Sequence, residues 1–190
     1  MKISLVRTLA VGLLLTLPLA IAQKKPAPHL NIKEVAALPD DVKSPEAIVH
    51  ADYECISGGV GVARQWARDL SLYGPNARSF SPSRNAKTGK LSVWSPTEQE
   101  YADAVDASFV KEGFTEREVA HKTYRYGNVA TVVSSYEGTL ASTGKLYARG
   151  VNIYTVYFAE DRWWISSVSW DDENPINPIP AELAAIHLKS

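Results

Sequence analysis

The 190-residue chain contains one cysteine, Cys55. A single thiol closes no internal disulfide, so the fold must rest on its apolar core. An excess of either charge is also missing. Lysine and arginine number 20 against 21 aspartate and glutamate; without Lys2 and Arg7 of an N-terminal leader, 18 basic residues face 21 acidic ones, a net charge of −3. Such mild acidity provides no electrostatic footprint for nucleic acid or for an anionic membrane. Beyond the leader, no apolar run approaches the ~20 residues of a spanning helix, so no stable membrane insertion is expected after its removal. Gly58-Gly59-Val60-Gly61 follows a helical pattern and lacks a Gly-Lys-Ser/Thr ending, which argues against a phosphate loop. No serine-nucleophile elbow appears. No His/Cys/carboxylate spacing suggests a metal site, and Asp171-Asp172-Glu173 reads as a solvated sheet edge more than as a Ca²⁺ loop. Neither metal nor cofactor is expected.

Residues 1–22 have the layout of a secretory signal peptide. Lys2 and Arg7 form a basic front, Leu9–Leu19 is almost wholly apolar, and Ala20-Ile21-Ala22 is a small-x-small cleavage site. The expectation is an exported protein, periplasmic or secreted. Residues 23–43, with Pro26, Pro28 and Pro39, read as a flexible lead-in. A single domain is expected over 44–183, followed by a tail over 184–190.

Within the domain, helical patterns come first. Ser44-Pro45-Glu46 opens a helix to about Ser57, with Ile48, Ala51 and Cys55 on its apolar stripe and Gly58-Gly59 as a left-handed stop. A second helix is expected over 62–72, with Trp66 and Leu70 on one side and Arg64 and Arg68 on the other. Ala77–Ser81 reads as a short strand and 82–90 as a polar loop. Ser95-Pro96-Thr97-Glu98 reads as a capping box opening a third helix to about Lys111, which buries Tyr101, Ala102, Val105 and Phe109 and ends at Gly113. Four strands should follow: Phe114–Tyr126, Asn128–Tyr136, Tyr147–Ala159 and Trp163–Trp170. β-Branched and aromatic residues at hairpin spacing make them an antiparallel meander. Glu160-Asp161 joins the last two, and Ala181–Leu188 reads as a final short helix. The fold class is α+β, with N-terminal helices packed on a strongly curved antiparallel sheet.

Seven stretches resemble one known family: Tyr53–Gly58, Arg64–Trp66, Tyr126–Ala130, Ser135–Glu137, Gly150–Asn152, Arg162–Ile165 and Ser169–Trp170. Over about Ser44 to Leu183 the chain is similar to the nuclear transport factor 2-like, or SnoaL-like, superfamily, and most of all to its bacterial secreted members. The resemblance implies a cone-shaped domain with a pocket inside, and frequent homodimers through the outer sheet face. It does not imply one activity, since this fold hosts isomerases, dehydratases, cyclases, hydrolases and binding proteins.

The ketosteroid-isomerase branch of that superfamily implies a phenol on the first helix, a carboxylate base on the strand after the second helix, and a further acid. Tyr53 suits the phenol, but Ser81 stands where the base belongs, and Glu118 and Glu137 lack an evident pairing. The dehydratase branch implies pocket histidines, for which His50 and His121 are the candidates. The expected ligand-binding residues are Tyr53, Trp66, His121, Tyr136, Asn152 and Trp170, aromatic or polar points in an otherwise apolar pocket. The first expectation is therefore an exported domain that binds a small apolar or aromatic molecule, as a homodimer. One alternative is a lyase- or cyclase-type enzyme using His121 or His50 with Tyr53. The other is a protein-interaction module that uses the outer sheet face.

Overall fold

A computed structural model describes residues 28–85 and 87–184. The expected signal peptide, the start of the lead-in and nearly all of the C-terminal tail lie outside the described residues. In chain order the elements are α1 (Pro45–Ile56), α2 (Trp66–Leu70), β1 (Tyr73–Arg84), β2 (Leu91–Trp94), α3 (Glu98–Glu112), β3 (Phe114–Tyr126), β4 (Val129–Leu140), β5 (Lys145–Ala159), β6 (Arg162–Asp172) and a 3₁₀ turn at Ala181–Leu183. The strands form one open six-stranded sheet in the order β2-β1-β6-β5-β4-β3.

The meander follows its side-chain alternation. On β4 the inner face carries Ala130, Val132, Ser134 and Tyr136; on β5 it carries Asn152, Tyr154 and Val156, all buried. Glu160 and Asp161 both adopt positive φ, 52° and 58°, the backbone of a two-residue hairpin whose twist matches that of its strands. The sheet is mixed and not wholly antiparallel, because β1 lies parallel to β6. Only pairings separated by short turns were legible as antiparallel, and β1 meets β6 across most of the domain.

At α1 the Ser44 hydroxyl accepts from the Ala47 N–H at 3.1 Å, as a helix N-cap does. The stop differs from expectation. Ser57 ends the helix in an extended conformation, and Gly58 and Gly59 do not adopt positive φ. Gly58 serves for close approach instead, since a Cβ there would run into the Arg64 guanidinium. Arg64 is 6% exposed and donates to the carbonyls of Val62, Gly58 and Phe109. That clamp holds 58–65 as a loop, so α2 keeps only its last turn and a half, and Arg64 is not a surface partner of Arg68. The expected short strand extends to Arg84 and pairs with β2 as a hairpin, so the polar loop shrinks to 85–90. Gly74-Pro75-Asn76 fits inside β1 at an irregularity in the β6 pairing, where a proline is tolerated. The capping box of α3 is Thr97 with Glu100, two residues later than expected, and Gly113 closes the helix at φ 70°.

Most of the core lies between α1 and the inner sheet face, where Ile48, Val49, Ala51 and Cys55 meet Val132, Tyr154, Val156, Trp163 and Ile165. A second cluster joins Ile56, Trp66, Ala102 and Phe114, with Leu30 and Ile32 against it. Residues 28–43 therefore lie on the domain and are not a loose leader. The Leu30 N–H donates to Asp103 at 2.8 Å, and Arg68 grips Asp41 through two hydrogen bonds of 2.7 and 2.8 Å. At the other end, Ser135 donates to the Leu183 carbonyl at 2.6 Å, and Leu183 is 4% exposed. The chain's own C-terminal segment thus occupies part of the outer face.

Candidate functional site

A cavity of about 240 Å³ lies between α3 and the inner face of the sheet, with Asp52 and Ile56 of α1 also in its wall. Tyr101 organises its aromatic side. The ring of Tyr101 lies 5.8 Å from Trp94, 6.0 Å from Trp170 and 6.4 Å from Phe109, centroid to centroid. Four carboxyl groups also line the cavity, from Asp52, Glu98, Glu116 and Asp172, together with Asn152 and the phenols of Tyr73, Tyr136 and Tyr154. Among the described residues that line it, none is lysine, arginine or histidine.

Beside this cavity the first three helices and the strands bring acids together. Asp52 accepts from Tyr73 at 2.6 Å and from Tyr154 at 2.7 Å. Asp69 of α2 is fully buried against Asp52 and Glu98, and neither of its carboxyl oxygens has a hydrogen-bond donor among the described residues. Glu98, at the start of α3, is 8% exposed. Its neighbour Tyr73 stays protonated and donates its hydrogen bond to Asp52. Three carboxyl groups thus share two phenol protons. Burial pushes all of them up: Asp69 well above the usual carboxylate range, Asp52 above it against the pull of its two phenols, and Glu98 to about 8, with the charge of Asp52 adding to the rise. Asp69 therefore keeps its proton and can donate it in a hydrogen bond to a neighbouring carboxyl. Glu116, on the inner face of β3, is likewise pushed by burial to about 8, against the 3.2 Å hydrogen bond that it accepts from Asn152. Asp172 accepts from the Tyr136 hydroxyl at 2.5 Å.

A second polar chain crosses the same face. Asn152 donates to the Tyr53 hydroxyl at 3.0 Å, so the Tyr53 proton points to Ser134 at 2.8 Å, and Ser134 donates to Glu118 at 2.6 Å. Glu118 also pairs with His121 Nδ1 at 3.0 Å. Every member has a partner of the right kind. Burial raises the Tyr53 phenol far above its ordinary pKa, so it stays protonated.

Of the six expected ligand-binding residues, Tyr136, Asn152 and Trp170 line the cavity. Tyr53 is held one layer behind it, in the polar chain. His121, with 38% of its side chain exposed, lies at the outer end of that chain. Trp66 sits in the second core cluster and donates to Asp106 at 2.6 Å. His50 is on the solvent side of α1, 3.2 Å from Glu54, away from the cavity. Ser79, not Ser81, reaches the cavity wall. Glu118 and Glu137 do find partners, the latter in Arg117 at 2.5 Å. The tract 171–173 diverges: Asp172 faces Tyr136, while Glu173 pairs with Arg149. Sequence reasoning passed over Asp52, Asp69, Glu98 and Glu116. A signal for two of them was present. Asp52 stands between Ile48 and Ile56 on the apolar stripe of α1, and Glu98 stands four residues before Ala102 on that of α3. An acid inside an apolar stripe is a buried acid.

No protein-family sequence model matches the chain, and no curated protein matches it either. Solved structures do. A Nostoc punctiforme protein of unknown function with a cystatin-like fold is 8% identical and superposes with a TM-score of 0.50, over 70% of this chain and 95% of its own. An NTF2-like protein of Methylobacillus flagellatus is 12% identical, with a TM-score of 0.46 over 68% of this chain and 89% of its own. A candidate ketosteroid isomerase of Parabacteroides distasonis is 13% identical, with a TM-score of 0.47 over 70% of this chain and 89% of its own. The protein is an α+β cone whose helices pack on a curved, open sheet. Its fold is similar to that of the Nostoc protein, which is described as cystatin-like. At these identities the likeness speaks for the fold alone.

Proposed function

We propose that this domain binds a small organic molecule with an aromatic or apolar body inside the cone. The observation that carries the reading is the cavity itself, where a wall of Trp94, Tyr101, Phe109 and Trp170 faces buried carboxyl groups. Apolar walls with a few convergent polar groups are the usual make-up of a ligand site, and about 240 Å³ suits a compact ligand. A screen of small aromatic fragments against the full chain by thermal shift tests it. Hits should lose their shift in Ala148→Phe, which puts a ring into the cavity, while circular dichroism stays unchanged. Shifts that survive this block would place binding elsewhere and overturn the reading.

A second reading is favoured by Glu98 and Glu116, whose carboxyls burial pushes up to about 8. Carboxyl groups poised there suit proton transfer in a lyase- or cyclase-type reaction, and they, not His50 or His121, line the cavity. An activity whose pH profile shows no inflection near 8, or keeps it in both Glu98→Gln and Glu116→Gln, would dismiss that chemistry. Export and homodimerisation belong to the same proposal. N-terminal sequencing of the mature protein checks the first, and sedimentation of the purified chain checks the second.

A further inference from the structure

The buried polar groups of the cavity are unevenly supplied: acceptors outnumber the protons available to them. Tyr73 and Tyr154 both donate to Asp52, and Tyr136 donates to Asp172. The Asn152 amide is divided between Tyr53 and Glu116. The Glu98 carboxyl, only 8% exposed and in the cavity wall, can draw only on the Asp69 carboxyl behind it and on Tyr73, which also donates to Asp52, and neither Asp69 oxygen has a donor among the described residues. A ligand that offered only acceptors would meet acceptors. One that brings N–H donors and a positive charge would find partners in the carboxyl groups of the wall.

A metal ion would also bring charge, but among the described residues no three His, Cys, Asp or Glu side chains are grouped to hold one. The remainder of the wall is aromatic, and the faces of Trp and Tyr rings attract organic cations where water is excluded. Resting on the binding reading above, we infer that the ligand class is an organic ammonium compound: a primary amine on a small aromatic or apolar body. Its nitrogen meets the carboxyl groups of the wall, Glu98 and Glu116 being the two tested below, and its body lies against Tyr101 and Trp170.

The test compares three probes of similar shape and different charge, titrated calorimetrically into the full chain at pH 8: 2-phenylethylammonium, 2-phenylethanol and phenylacetate. The ammonium is expected to bind at least tenfold more tightly than the alcohol, and phenylacetate most weakly. Glu98→Gln and, independently, Glu116→Gln should each shrink the preference of the ammonium over the alcohol severalfold. Equal or tighter binding of the alcohol or of phenylacetate overturns the ammonium assignment and leaves the cavity as a ligand site. A preference that persists undiminished in both variants overturns it as well. Failure of all three probes to bind removes both this inference and the reading on which it rests.

Discussion

Two polar systems lie between the helices and the inner face of one sheet, and they are balanced in opposite ways. The chain from Asn152 through Tyr53 and Ser134 to Glu118 and His121 has a donor for each acceptor, so its groups lose little on leaving water. The group formed by Asp52, Asp69 and Glu98 has three carboxyls and two phenols, and it is neutral only if it holds extra protons. The first reads as architecture, because every partner is already inside the protein. The second is unfinished, and an unfinished buried site is where protons or a ligand act on the molecule.

The largest expected effect is on stability against pH. A carboxyl whose folded pKa is about 8 holds a proton that the unfolded chain gives up near 4.5, so stability is full below about 4.5 and is lost as pH rises towards 8. Each such group lowers the unfolding free energy by about 1.4 kcal/mol per pH unit inside that window. Urea unfolding at pH 5, 6, 7 and 8 should show this slope, and Glu116→Gln should flatten it by about one proton's worth. A flat profile in the parent protein would remove the distinction between the two systems.

Tyr154→Phe comes next. It strips a donor from a buried carboxyl and is expected to destabilise by about 2–3 kcal/mol at pH 7. Tyr53→Phe, in the matched chain, leaves the neutral Asn152 amide and Ser134 hydroxyl short of a partner, and about 1–2 kcal/mol is expected. Denaturant midpoints of the two variants sharpen the contrast, which fails if Tyr53→Phe costs the more. The smallest effect is expected for His121→Ala. Its ion pair with Glu118 is partly exposed, and a change below about 1 kcal/mol should be seen in the same assay.

The legible parts of the fold were those whose cause lies within a few residues. Ser44 before Pro45 marks a helix start, Gly113 a helix end, and Glu160-Asp161 a tight hairpin. The boundary of α2 was misplaced because Arg64 is fixed by the Phe109 carbonyl, 45 residues away in the chain. The candidate site divided along similar lines. Tyr136, Asn152 and Trp170 stand on strands whose alternation shows which way they face. Trp66 and Tyr53 share the aromatic character of a pocket residue, yet neighbouring elements direct them into the core and the polar chain. The acids were passed over because charged residues ordinarily face water, and Asp69 lies on a helix too short to show a stripe.

By itself the sequence determined the strand alternation, the Ser44 start of α1, the Gly113 stop of α3, the Glu160-Asp161 turn and the placing of the long meander after the helices, because each depends on the steric preferences and hydrogen bonding of neighbouring residues. Only the tertiary structure decided that β1 runs parallel to β6, and that Asp52, Asp69, Glu98 and Glu116 converge from four different elements beside one cavity. The physical reason is range. Local propensities act over a few residues, whereas desolvation and carboxyl–carboxyl repulsion arise only after packing has brought distant groups together and removed the water between them.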